Sequence, residues 1–143
     1  MKVKIGTYPK NHKKERKISV QIDGWDTWSL DHTLALIIHP ALLEFKKDLS
    51  GHPATLTEEE WNDILDKMIF SFGALLNTDW EDQFSSGNIE FVRTPLNDGS
   101  GMVKIERGPN DTSAFDMEGW TAYSDRIDEG LLLFGKHFRS LWN

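Results

Sequence analysis

Thr57-Glu58-Glu59-Glu60-Trp61-Asn62-Asp63-Ile64-Leu65-Asp66-Lys67-Met68-Ile69-Phe70-Ser71-Phe72-Gly73-Ala74-Leu75-Leu76-Asn77 carries the strongest local signal in the chain. Thr57 and Glu60 stand at the spacing of a capping box, and Glu58, Glu59 and Glu60 suit the positive end of a helix dipole. Trp61, Ile64, Leu65, Met68, Ile69, Phe72 and Leu75 then recur every three or four residues. That period predicts an amphipathic helix from Thr57 to about Asn77.

Upstream lies a second apolar segment of different character. Leu34, Ala35, Leu36, Ile37, Ile38, Ala41, Leu42, Leu43 and Phe45 surround a predicted helix on nearly every side, with Pro40 inside it. The helix should start near Asp31, capped by Ser29 or Asp31, and an all-round apolar surface predicts a helix buried on several sides. It is therefore expected to be the middle helix, with the 57–77 helix and a C-terminal helix packed against it. Asp48 to Ala54, with Gly51 and Pro53, reads as the connecting loop. The C-terminal helix should begin between Ser113 and Asp116. Its Trp120, Tyr123, Ile127, Leu131, Phe134, Phe138 and Leu141 keep heptad-like spacing, a stripe long enough to predict a homo-oligomer.

The remaining elements alternate with period two. Val3 and Ile5, then Ile18, Val20 and Ile22, read as two strands broken at Tyr8-Pro9-Lys10-Asn11. Ile89 to Thr94 and Met102 to Arg107 flank Asn97-Asp98-Gly99-Ser100-Gly101, which is a hairpin signal. The expectation is one α+β domain over residues 1–143: a small antiparallel sheet, from the two N-terminal strands and the central hairpin, packed against three helices.

Composition bounds the function classes. The chain has 143 residues, 38 % hydrophobic and 27 % charged, with no cysteine, six Trp and eight Phe. Disulfides, thiolate metal sites and cysteine nucleophiles are excluded, and a reducing compartment fits. The formal charge is −7, but residues 1–17 hold seven basic groups against Glu15. The rest is strongly acidic, which disfavours nucleic acid as a partner outside the N-terminal segment. The longest apolar run, Leu34 to Ile38, is far short of the ~20 residues that span a bilayer, and a soluble, cytoplasmic protein is expected.

Chemistry-bearing residues concentrate at one junction, Trp25-Asp26-Thr27-Trp28-Ser29-Leu30-Asp31-His32-Thr33. Free helix N-terminal amides attract anions, and Trp faces can stack on a base, so Trp25, Asp26, Trp28, Asp31 and His32 are the candidate ligand-binding residues. The competing reading has Asp31 and Ser29 capping the helix and both Trp filling the core. Arg107, Asn110 and Asp111 complete the candidate set, against the alternative that Gly108 to Thr112 is only a turn. Asp31 and His32 are adjacent and point about 100° apart. His32 and His39 lie roughly 10 Å apart by helix rise, too far to share a metal ion, so a metal would need Asp79, Glu81 or Asp82 as well. No GxSxG, P-loop, GxGxxG or HExxH is present, and no catalytic residue, metal or cofactor is assigned.

Trp25 to Ala35, Ile37-Ile38-His39-Pro40, Asn77 to Phe84, Arg107 to Thr112 and Leu133-Phe134-Gly135-Lys136 with Leu141-Trp142 resemble, taken together, a family of small tailed-bacteriophage proteins. The resemblance covers most of the chain. It departs where members often carry a longer acidic insertion, here only Lys47 to Glu60. It implies a phage protein made in a bacterial host's cytoplasm, and it implies no activity. In that setting the leading expectation is a noncatalytic accessory binding protein, such as an anti-defence factor holding a nucleotide-like signal or a host protein. A virion or assembly protein comes second and a metal-assisted phosphoester hydrolase third.

Overall fold

The structure is a computed structural model that describes residues 2–5, 15 and 17–142. The chain break at Tyr8 to Asn11, and Lys10, Lys13, Lys14 and Arg16, lie outside the described residues. In chain order the elements are β1 (Lys2–Ile5), β2 (Ile18–Gln21), α1 (Leu30–Lys47), α2 (Glu58–Leu76), β3 (Ser85–Ser86), β4 (Phe91–Pro95), β5 (Val103–Arg107), β6 (Ala114–Phe115) and α3 (Met117–His137). Short 3₁₀ turns occupy Gly24–Thr27, Trp80–Phe84 and Phe138–Ser140. The α+β class stands.

α2 forms as the sequence dictates. Thr57 Oγ1 accepts from the Glu60 amide at 3.2 Å, and the Glu60 carboxylate accepts from the Thr57 amide at 2.8 Å. Both partners of the box satisfy donors that a helix start leaves unpaired. Along α2, Trp61, Leu65, Met68 and Phe72 are buried, with Ala35 and Leu42 of α1 completing the core cluster.

The middle helix is α2, a correction to the expectation that α1 occupies that place. α1 and α3 each pack along α2, on different faces, and share no comparable face with each other. The His39 ring of α1 lies over Gly73, where an added Cβ would meet Nε2 at 3.1 Å. On the α3 side the backbones come closer still. Ser71 is fully buried, its hydroxyl bridging the Lys67 carbonyl at 3.0 Å and the Arg126 carbonyl at 3.3 Å, and a Cβ on Gly130 would overlap both the Ser71 hydroxyl and the Lys67 carbonyl. Two small residues, one on each helix, thus set the α2–α3 separation.

α1 is less buried than its composition predicts. Only Ala35 and Leu42 are buried, while Leu30, Leu34, Leu36 and Leu43 are each between 44 and 52 % exposed. Its first turn also differs: Ser29 is the N-cap residue but makes no side-chain cap. Instead, Thr33 Oγ1 donates to the Asp26 carbonyl at 2.8 Å and ties the preceding 3₁₀ turn to the helix. At the other helix, Asp116 caps α3 by accepting from the Gly119 amide at 2.9 Å.

The aromatic stripe of α3 is consumed inside the chain. Trp80 stacks on both Trp120 (6.2 Å, 18°) and Tyr123 (5.1 Å, 22°), and Trp120 Nε1 donates to Glu81 at 3.3 Å. Phe70 and Phe84 close on Tyr123, and the Arg126 guanidinium sits 3.9 Å from the Phe70 ring centre. Further along, Ile127 is buried and Phe134 meets Phe72 edge-to-face at 4.8 Å. The stripe offers a second chain little beyond Phe138.

The strands form three separate two-stranded antiparallel ribbons, β1–β2, β3–β6 and β4–β5, rather than one sheet. The expected hairpin is present, with Phe91 opposite Arg107 and Pro95 opposite Val103, closed by Gly99 and Gly101 at positive φ. Among the described residues neither β1–β2 nor β4–β5 builds a packed face against a helix. β4–β5 is exposed on both sides, so the expected packing of a sheet on helices is not what the chain adopts.

At the base of α3 the His137 ring meets Trp61 at 5.6 Å, and its Nε2 is buried with no hydrogen-bond partner among the described residues. Burial, then the nearby Lys136 ammonium, lowers the pKa of His137 below the ordinary histidine value. A depressed histidine means that the unfolded chain binds more protons, so stability falls as pH drops below about 6.5 towards the lower folded value. Urea unfolding of the parent should therefore show a lower midpoint at pH 5.5 than at pH 7.5. His137→Phe, which keeps the ring contact without the titration, should show a smaller difference, and an equal one would remove His137 as the cause.

Candidate functional site

The junction Trp25 to Thr33 is a built turn. Asp23 caps it by accepting from the Trp25 amide at 2.9 Å, and Asp26 returns the contact by accepting from the Asp23 amide at 2.8 Å. Thr27 Oγ1 donates to the Gly24 carbonyl at 2.8 Å. These bonds hold Gly24–Thr27 as one 3₁₀ turn, which eclipses residues three apart and so sets Trp25 and Trp28 side by side. Their ring centres are 6.0 Å apart with planes tilted by 39°.

The two indoles point outward. Trp25 is 79 % and Trp28 83 % exposed, so the alternative that they fill the core fails. Nor do they frame a slot for a base. A base inserted between two rings needs parallel planes roughly 7 Å apart, twice the base-stacking step of about 3.4 Å per strand. The present geometry is closer and tilted, and only an outer face is open to stacking.

His32 has a different employment. Its Nδ1 donates to the Leu75 carbonyl at 3.1 Å, in the last turn of α2 where carbonyls lack helical partners. The ring therefore pins the start of α1 to the end of α2. Asp31 is exposed in the first turn of α1 and forms no hydrogen bond or ion pair among the described residues. Asp23, Asp26 and Asp31 put three acidic residues within a few positions of the indoles in sequence, a composition that does not favour an approaching phosphate.

Arg107, Asn110 and Asp111 form a second group, at the end of β5 and in the loop after it. Asp111 is structural: its side chain is 4 % exposed and accepts from the Ser113 hydroxyl at 2.7 Å, the Ser113 amide at 3.0 Å and the Glu90 amide at 3.1 Å. The Ser113 hydroxyl first, then the Glu90 amide, hold its carboxyl below the ordinary carboxylate range. Asn110 is held likewise, its amide donating to Glu90 at 2.7 Å. Arg107 reaches Asp111 only at 3.9 Å and borders an open depression of about 330 Å³ with Ser85, Ser86, Ile89 and Phe115. For Asn110 and Asp111 the turn reading is the one the geometry supports.

A further depression of about 440 Å³ lies between the 50–54 loop and the C-terminus, lined by His52, Trp61, Ser140 and Trp142 among others. Sequence reading passed over it because its residues are scattered and match no motif. Among the described residues no three His, Asp or Glu side chains come together as a metal site, and Asp79, Glu81 and Asp82 do not join His32 or His39. No helix is long and apolar enough to cross a membrane. Comparison with known proteins found no matching family model, no matching curated protein and no matching solved structure.

Proposed function

We propose that this chain is a noncatalytic phage binding protein that takes hold of a host protein through Trp25 and Trp28. The observation that carries this reading is the exposure of both indoles on a turn fixed by its own hydrogen bonds. Leaving two large apolar rings in water does nothing for the folded monomer, whereas Trp anchors on rigid supports dominate protein contact surfaces. Asp23, Asp26 and Asp31, close to the indoles in sequence, favour a partner with an apolar centre and a basic rim. The same carboxylates, and the tilt of the rings, count against a nucleotide-like ligand.

Trp28→Ala tests it. The substitution should leave folding stability within about 0.5 kcal/mol, since the ring is not in the core. It should weaken partner binding by about 30-fold, the equivalent of a 2 kcal/mol anchor. A photo-crosslinking amino acid at position 25, in host lysate, should trap one discrete protein, and Trp28→Ala should abolish the product. No discrete product, together with a melting-temperature rise on adding linear or cyclic nucleotides, would transfer the surface to a small ligand and overturn the reading.

A further inference from the structure

We infer that β5 receives, along its outer edge, an extended segment of another protein that runs antiparallel to it and sets an acidic residue opposite Arg107. This goes beyond the role of Trp25 and Trp28 and stands on a different part of the chain. The register of the β4–β5 hairpin fixes which backbone groups are free. The Leu96 amide donates to the Met102 carbonyl at 2.9 Å, and the Gly108 amide to the Glu90 carbonyl at 2.8 Å. Even-numbered partners therefore exchange the ladder bonds, and the odd-numbered residues turn their N–H and C=O groups away from the other strand.

The two edges are not equivalent. On β4 the outward residues are Phe91, Arg93 and Pro95, and Pro95 has no N–H to offer. On β5 they are Val103, Ile105 and Arg107, each with both groups. All of β5 is exposed, and among the described residues no third strand joins the ribbon. Such a row of alternating donors and acceptors is matched by a second polypeptide backbone in extended form. A sugar–phosphate chain has acceptors but no donors to set against it.

Side chains choose the segment. Val103, Ile105 and Arg107 share one face with Phe91, Arg93 and Pro95, so that face carries two arginines and no acid. Arg107 reaches Asp111 only at 3.9 Å, and that carboxylate is already spent on Ser113 and the Glu90 amide. Arg93 forms no ion pair among the described residues. The opposite face is neutralised internally, Lys104 pairing with Glu106 at 2.7 Å. An added strand sets one side chain beside each of Val103, Ile105 and Arg107, which calls for two aliphatic residues and an acid. A second copy of β5, centred on Ile105, would bring Val103 to Arg107 and no acid. Shifting that copy by two residues either way opposes Lys104 to Lys104 or Glu106 to Glu106, so a different chain is selected.

The probe is a fluorescein-labelled peptide carrying Glu-Thr-Val-Thr-Val between soluble, glycine-rich ends, titrated with the full chain by anisotropy. It should bind saturably. A peptide with Lys in place of Glu should bind about tenfold more weakly, and Arg107→Glu should reverse the order of the two peptides. Ile105→Pro removes an outward N–H without touching the bonds to β4, and should abolish binding with circular dichroism unchanged. Trp28→Ala should bind the peptide as the parent does, so this proposal and the role of the tryptophans fail separately. No saturable binding, an order of peptides that Arg107→Glu leaves unchanged, loss of binding in Trp28→Ala, or displacement of the peptide by an oligothymidine would overturn the proposal. A parent dimer in sedimentation velocity that Ile105→Pro dissolves would give the edge to a second copy and overturn it as well.

Discussion

Gly130→Val is expected to unfold or nearly unfold the protein, because no side chain fits where α3 crosses α2. Even a methyl group there overlaps the Ser71 hydroxyl and the Lys67 carbonyl. The latter is backbone and cannot rotate aside. The helices must separate, loosening the Phe72–Phe134 contact and leaving the Ser71 hydroxyl, at 0 % exposure, without the Arg126 carbonyl. Overpacking of this kind costs about 3 kcal/mol or more where the backbone must shift. The control is Gly135→Ala in the same helix, where an added Cβ meets nothing within 4 Å. That substitution should gain up to about 1 kcal/mol from helix propensity. Urea unfolding followed by circular dichroism distinguishes the two, and similar midpoints for both variants would show that the α2–α3 spacing is not set at Gly130.

Trp61→Ala should cost about 3–5 kcal/mol, the range for truncating a large buried aromatic. Trp61 is 1 % exposed in the cluster with Leu65, Met68 and Leu42, and it supports the His137 ring. For a chain of this size the melting temperature should fall by about 10–20 °C. Trp25→Ala removes the same side chain from a site 79 % exposed and should shift stability by no more than about 0.5 kcal/mol. Equal losses at both positions would contradict the division between a core tryptophan and a presented one.

The parts of the fold legible in the sequence are those fixed locally. The Thr57–Glu60 box, the period of α2 and the 91–107 hairpin depend on residues a few positions apart, and all appear where the pattern puts them. The order of the helices depends on contacts far apart in sequence, and there the pattern misleads. An apolar surface all round α1 reads as burial, yet Leu30, Leu34, Leu36 and Leu43 stay about half exposed in the folded chain. The small residues Ser71 and Gly130, a signal available beforehand, mark where backbones approach closely and so point to α2 as the centre. At the candidate site, clustering of Trp and Asp between residues 25 and 33 was visible in the sequence. Its orientation was not, because a capping box and a core contact draw on the same residue types. Asn110 and Asp111 show the converse, where polar residues that resemble a ligand site spend their hydrogen bonds on the loop around Glu90.

The position of α2 between two helices that do not pack on each other also orders how the molecule comes apart. α1 can lift away and leave the α2–α3 pair intact, whereas α2 cannot move without releasing both neighbours. Opening is therefore hierarchical: the amides of α1 exchange with solvent through a partial opening, and those of α2 only through complete unfolding. The half-exposed leucines of α1 thus belong to the helix that rests on α2 alone, and what its release removes from the core is Ala35 and Leu42.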